Sequence, residues 1–276
     1  MQENKIWEIY SKEKTLDSTI YNTIYEVKNK QTGKLYIAND LLKEKCNINF
    51  IKKIKSIQSD NIISIKEIFE SKEKIYIITD FYQYNLQQYL KMKGKLLSIN
   101  EIKEIFLQIN NCMKMMIEKE IIHGNINLSN ILISLNQANQ LSFNLNIYDS
   151  IQFINKLESM SITNQKPVLS NSPEILKGEN ISNKSDIWSL GVIIYYMLFN
   201  KFPYDGKTEY QLYQNIISNQ NKINNIEDKE LKDLLVKMLK VDLNERISWD
   251  NYFNHLFFKT NNIFPKFNLI CNSHSI

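Results

Sequence analysis

Residues 184–199 read Lys184-Ser185-Asp186-Ile187-Trp188-Ser189-Leu190-Gly191-Val192-Ile193-Ile194-Tyr195-Tyr196-Met197-Leu198-Phe199. From Leu190 to Phe199 no charge interrupts the apolar run. At about 10 residues this run is too short to span a bilayer, so it reads as a helix buried in a protein core. Downstream, helices fit Thr208–Ser218, Lys229–Leu239 and Ser248–Phe258. Upstream, Ile102, Ile105, Phe106, Ile109, Met113, Met116 and Ile117 fall on one apolar face of a long helix. Short strands are expected at Ile131–Ser134 and Leu145–Tyr148. Toward the N-terminus the pattern changes. Ile20–Val27 is β-branched and aromatic in strand style, Lys30–Lys34 is a turn, and Leu35–Ala38 resumes a strand. Ile48, Ile51, Ile54 and Ile57 recur every third residue, which predicts a short amphipathic helix. Strands Ile62–Phe69 and Lys74–Asp80 follow. A small β-rich lobe therefore precedes a larger helical one.

Composition narrows the function classes. The 276 residues include 6 glycines and one arginine, Arg246. The glycines (Gly33, Gly94, Gly124, Gly178, Gly191 and Gly206) are all more than ten residues apart. Phosphate-cradling loops need clustered glycines, because backbone N–H groups must approach the ligand closely. Walker loops and dinucleotide fingerprints are thus absent as sequence. A single arginine excludes guanidinium-rich nucleic-acid surfaces. The net charge is +4 and the lysines are spread along the chain, as on solvated faces. No nucleic-acid partner and no membrane span are expected. Cys46, Cys112 and Cys271 are odd in number and far apart, which fits a reduced, intracellular and cytoplasmic protein. With His123, His255 and His274 they show no metal-ligand spacing. The heavy use of Asn and Ile reads as codon bias.

Four ordered motifs carry a resemblance. They are Ser172-Pro173-Glu174, then Ser185-Asp186-Ile187-Trp188-Ser189-Leu190-Gly191-Val192, then Phe202-Pro203-Tyr204, then Asn244-Glu245-Arg246-Ile247-Ser248. Together they resemble the C-lobe of a eukaryotic protein kinase, with its A-P-E motif, D-x-W-x-x-G helix and late arginine. His123-Gly124-Asn125-Ile126-Asn127-Leu128-Ser129-Asn130 is similar to the family's H-R-D-L-K-P-x-N. The resemblance covers about residues 7–258 and is nearest to Ser/Thr kinases. It implies a bilobal α+β fold, with a small five-stranded β lobe bearing one helix and a larger, mainly helical C-lobe. The N-lobe is expected over 1–82, the C-lobe over 83–260 and a tail over 261–276. It also implies that Arg246 pairs with Glu174, and that Asp186 accepts hydrogen bonds from the catalytic-loop backbone.

Phosphoryl transfer depends on positioned charges, and the resemblance implies that most are missing. The glycine-rich lid falls on Asp17–Ile24, where Asp17, Thr19 and Asn22 stand in place of glycines. The strand lysine position falls on Asn39, or on Asp40 after a one-residue slip. Ile37 replaces a small alanine over the adenine. The helix glutamate position falls on Phe50. Glu44, six residues upstream, would face elsewhere on that helix, since six residues turn about 600°. Asn125 replaces the aspartate base, Gly124 the arginine and Asn127 the lysine of the catalytic loop. An amide is no base at neutral pH.

A nucleotide, if bound at all, would lie against Ile24, Ile37, Asn39, Thr79, Asp80, Tyr82 and Leu132. Its metal would sit on Asn130 and Asp149. Asp149-Ser150-Ile151 is read as the family's D-F-G, with the surplus length after Asn130 placed in a loop around Asn136–Gln140. No cofactor is expected, with ATP and Mg²⁺ binding weakly if at all, and His123 reads as a packed core histidine. The expected function is that of a pseudokinase, a scaffold or allosteric module for a protein partner such as an active kinase. A divergent ATP-dependent Ser/Thr kinase and a nucleotide-gated binding module stand as alternatives.

Overall fold

The computed structural model describes residues 3–18, 22–55, 57, 61–135, 140–147, 167–218, 223 and 226–259. The chain opens with helix α1 (Glu3–Ile9) and strands β1 (Tyr10–Ser18), β2 (Asn22–Asn29) and β3 (Leu35–Leu42). Helix α2 (Ile48–Lys55) and strands β4 (Ile65–Glu70) and β5 (Lys74–Asp80) complete the first lobe. These strands form one five-stranded antiparallel sheet in the order β1-β2-β3-β5-β4.

Strand alternation divides this sheet into two faces. Val27, Ala38, Tyr76 and Ile78 point outward into a small core closed by Ile6 of α1, together with Tyr10 and Phe69. Lys12 sits over the rings of Trp7 and Tyr25, at 4.2 and 4.1 Å from their centroids, and pins α1 to the strands. Leu41, Ile75 and Ile77 point inward, into the main core with Ile51 and Ile54 of α2. The three-residue isoleucine period thus marks a real buried stripe at Ile51, Ile54 and Ile57.

The second lobe starts with β6 (Tyr84–Asn85), α3 (Leu86–Lys93) and α4 (Ile99–Glu118), followed by the hairpin β7 (Ile131–Leu135) and β8 (Leu141–Leu145). Strands β6, β7 and β8 form a three-stranded sheet. Then come α5 (Pro173–Leu176), α6 (Asn183–Phe199), α7 (Glu209–Ser218), α8 (Lys229–Met238), α9 (Trp249–Phe253) and α10 (Leu256–Lys259). Ser98 and Glu101 form a capping box at the start of α4, satisfying two amides that a helix end leaves open. Helix α6 is buried on every side from Ser185 to Tyr195. At Gly191 an added Cβ would lie 3.1 Å from the Met238 Cβ and 3.0 Å from Leu239. Glycine there lets the end of α8 pack against the central helix.

Several sequence expectations need correction. Helix α1 and strand β1 were not expected. Nor was α3 as a separate helix, which is set apart by an Asn85–Gln88 capping box and ended by Gly94 at φ 65°. The strand expected at Leu145–Tyr148 lies at Leu141–Leu145, because Leu141, Phe143 and Leu145 are the inward-facing residues of the hairpin. The single helix expected over Ser248–Phe258 is two, α9 and α10. The turn between them is held by His255, whose Nε2 lies 2.9 Å from Asp233 Oδ2. Glu44 is not on α2 at all, but in a separate 3-10 turn over Lys43–Lys45.

The lobes are joined at the rear. Ile62 forms a parallel bridge with Leu145 of β8. Leu145 N donates to Asn61 O at 3.0 Å, and Asn61 Nδ2 donates to Phe143 O at 3.1 Å. Gln108 of α4 accepts from Phe143 N at 3.0 Å, so the helix is fastened at the same point.

Candidate functional site

The deep end of the site is an ionic frame. The Arg246 side chain is fully buried. It forms a bidentate pair with Glu174, NH1 to Oε1 at 2.7 Å and NH2 to Oε2 at 2.9 Å. Its remaining N–H groups reach backbone carbonyls, Nε to Lys240 at 2.9 Å, NH1 to Lys184 at 2.9 Å and NH2 to Val241 at 3.4 Å. The guanidinium lies 5.1 Å from the Trp188 ring centroid. Ser185 Oγ also donates to Glu174 Oε1 at 2.8 Å. Burial acts to raise the Glu174 carboxyl, but Arg246 and Ser185 hold it below the usual carboxylate range. A buried ion pair is stabilising only when its leftover donors and acceptors are met, and here they are.

Asp186, in the first turn of α6, holds the catalytic loop by its backbone. Its Oδ2 accepts from His123 N at 2.9 Å and its Oδ1 from Gly124 N at 2.8 Å. Burial pushes this carboxyl up to about 7, against the lowering effect of the two amides. Gly124 has φ 71°, a conformation that costs any other residue strain. Two serines add a second tie that sequence reading did not single out. Ser189 Oγ donates to Ser170 O, and Ser170 Oγ donates to Ile126 O, both at 2.8 Å.

His123 is a packed core residue, as expected. Its Nε2 lies 2.9 Å from Asn146 O, and its Nδ1 accepts from Asn125 N at 3.2 Å. Both ring nitrogens are satisfied in the neutral form. Burial lowers the ring to about 4, so it stays neutral at physiological pH.

Beyond His123 the loop is built from amides. Asn127 Nδ2 donates to both the backbone O and the side-chain Oδ1 of Asn125, each at 3.1 Å. Asn127 Oδ1 accepts from Ser129 N at 2.9 Å and from Asn130 N at 3.2 Å. Asn130 Nδ2 also donates to Asn125 O, at 2.8 Å. The Asn127 side chain therefore folds back onto its own loop.

On the other side of the cleft, register decides the strand position. Asn39 opposes Ile24 on β2 and Ile77 on β5, and Ile37 opposes Thr79. Ile24, Ile37, Asn39 and Thr79 thus share the inward face. Asp40 points outward, where Lys74 Nζ meets its Oδ2 at 2.8 Å. Of these two neighbours it is Asn39, an amide, that faces inward.

Asp80 turns its carboxylate to Lys66 at 2.8 Å and Lys34 at 3.5 Å. Tyr82 and Leu132 are half-buried against the main core. Phe50 of α2 is half-buried against that core as well, where a glutamate would be needed to pair a strand lysine. Asp17 and Ile24 pair at the end of the β1–β2 hairpin, and Ser18 pairs with Thr23. Thr19, Asp149, Ser150 and the hydroxyl side chains of Ser159, Ser161 and Thr163 lie outside the described residues. One residue that sequence reading missed stands in the site. Asn146 N donates to Asn130 O at 2.8 Å, which places Asn146 immediately beside Asn130.

A five-stranded lobe over a helical lobe, an Asp186-held loop between them and a buried Glu174–Arg246 clamp define a kinase-fold protein. The chain belongs to the protein kinase domain family, whose model matches residues 10–258. Among similar proteins is serine/threonine-protein kinase 33 of Bos taurus, 25% identical over 259 residues, covering 87% of this chain and 53% of that protein. The chain thus spans about half of that relative's length. Myosin light chain kinase A of Dictyostelium discoideum is 24% identical over 270 residues, 94% of this chain and 90% of that protein. Among solved structures, Rad53 1-466 in complex with AMP-PNP superposes with a TM-score of 0.74 at 20% identity, over 92% of this chain and 66% of that one. Among the described residues no helix is long and apolar enough to cross a membrane.

Proposed function

We propose that this chain is a pseudokinase, a protein-kinase fold that works by binding a protein partner and not by transferring phosphate. The observation that carries this reading is the closed amide loop, in which Asn127 bonds Asn125 across the site where base and cation would stand. An amide cannot take the substrate hydroxyl's proton. A side chain folded onto its own loop cannot neutralise a transferred phosphoryl group. Asn39 on the inward face of β3 removes the cation from the opposite wall. No cofactor is required by this reading.

The test is a phosphotransfer assay on the purified chain, paired with a thermal titration by ATP and Mg²⁺. No turnover and no shift are expected, whereas a ligand at 100 times its Kd would add about 2.7 kcal/mol. Turnover above background would overturn the reading. A saturable shift without turnover would replace it with a nucleotide-gated module. The alternative of a divergent active kinase is favoured by one observation, that similar proteins carry kinase names, serine/threonine-protein kinase 33 and myosin light chain kinase A among them.

A further inference from the structure

We propose that Asn146, and not Asp149, stands where the family's D-F-G aspartate would hold a nucleotide's metal, and that the cleft is built without a divalent-cation site. The register of the β7–β8 hairpin carries this inference. Ile131 opposes Leu145 and the pairing runs on to Leu135 and Leu141. Asn130 and Asn146 are therefore the residues flanking the open end of the hairpin, and the 2.8 Å bond from Asn146 N to Asn130 O joins them. The extra length after Asn130 is taken up at the far end of the hairpin, between Leu135 and Leu141, and not after β8.

His123 fixes the same place from below, through its Nε2 contact with Asn146 O at 2.9 Å. The residue that adjoins both the catalytic-loop histidine and Asn130 is an asparagine. Asp149 lies three residues farther along, up to about 10 Å of extended chain.

The donor chemistry agrees. Asn125, Asn127, Asn130 and Asn146 present only neutral amides at this end of the cleft. Magnesium in nucleotide sites is held by one or two carboxylates together with phosphates, because only net negative charge offsets the cost of stripping its water. Asn127 spends both ends of its amide within the loop, and Asn130 its Nδ2. Among the described residues there is no group of three or more His, Cys, Asp or Glu side chains able to hold a metal ion. The family's metal therefore does not fit the residues described at this end of the cleft.

This inference deepens the non-catalytic reading, but it rests on the hairpin register and can fail separately from it. The test is Mn²⁺ binding to the full chain, followed by the electron paramagnetic resonance of the free ion. Wild type, Asn146→Asp and Asp149→Asn are compared, each first checked for native circular dichroism. Wild type and Asp149→Asn should titrate alike, with only weak surface binding. Asn146→Asp should gain one saturable site at least about tenfold tighter than that background, since affinity follows ligand charge.

A wild-type site abolished by Asp149→Asn would overturn the assignment, and this comparison holds even if Asn146→Asp fails to fold. A folded Asn146→Asp chain that titrates like wild type would overturn it as well. Phosphotransfer by a wild type that lacks the Mn²⁺ site would sink the non-catalytic reading and leave this assignment standing. A Mn²⁺ site on Asp149 without phosphotransfer would do the reverse.

Discussion

Two neighbouring regions of the second lobe treat charge in opposite ways. Around Arg246 and Asp186, ions are kept in the driest part of the molecule. One residue past the loop amides that Asp186 binds, the chain passes into the cleft, where Asn125, Asn127 and Asn130 are neutral amides. The difference separates two jobs that one fold usually combines. Charges around Arg246 hold backbone segments together, so losing one leaves a buried partner stranded. Charges at Asn39, Asn125 and Asn127 would act on a ligand, and replacing them with amides leaves the fold intact. The amides bond one another, so the exchange strands no polar group within the catalytic loop.

Substitutions can break or sharpen this contrast. The largest effect is expected for Arg246→Ala, which abandons Glu174 in the core. It should destabilise the fold by about 3–5 kcal/mol in urea unfolding. A loss under 1 kcal/mol would mean that the clamp does not hold the lobe.

Next comes His123. Its folded pKa of about 4 lies below its unfolded value of 6.5, so its contribution is complete above pH 6.5 and is lost as pH falls toward 4. The stability difference between wild type and His123→Gln should shrink over that window, by at most about 3 kcal/mol. The opposing titration of Asp186 is common to both proteins and cancels. A constant difference would show that the ring charges freely in the folded state.

Asp186→Asn should cost about 1–3 kcal/mol, since an amide can accept from only one of the two loop N–H groups. Asn125→Asp should change stability by no more than about 0.5 kcal/mol and restore no phosphotransfer, because Asn39 and Asn127 still supply no cation. A folded Asn125→Asp chain that phosphorylates would erase the contrast between the two regions.

The frame was legible in the sequence because its residues have few substitutes. A buried bidentate partner for Glu174 must be arginine, and the chain has only one. The long helices were legible too, α4 from the spacing of its apolar face and α6 from an apolar run that no charge interrupts. Other parts left weaker signals. Helix α1 is too short for its period to register. Strand β1 is an edge strand, mostly exposed beyond Tyr10 and carrying Lys12 and Lys14, so it has a polar sequence. Strand β8 is interrupted by Asn144, whose amide is satisfied by Ser134 Oγ and Ser142 O. In a chain so rich in asparagine, Asn146 has nothing to mark it until the hairpin register sets it beside Asn130. The position on β3 stayed open between Asn39 and Asp40, because only the sheet says which of two neighbours faces the cleft.

The bridge between Ile62 and Leu145 has a mechanical consequence. The two lobes share backbone hydrogen bonds along their rear edge, so any opening that keeps those bonds must turn about that edge, as a door turns on its jamb. One residue beyond the jamb sits Asn146, and the segment leading to it from α2 is Asn61–Ile63. A push on α2 would therefore bear on a short lever whose fulcrum is β8.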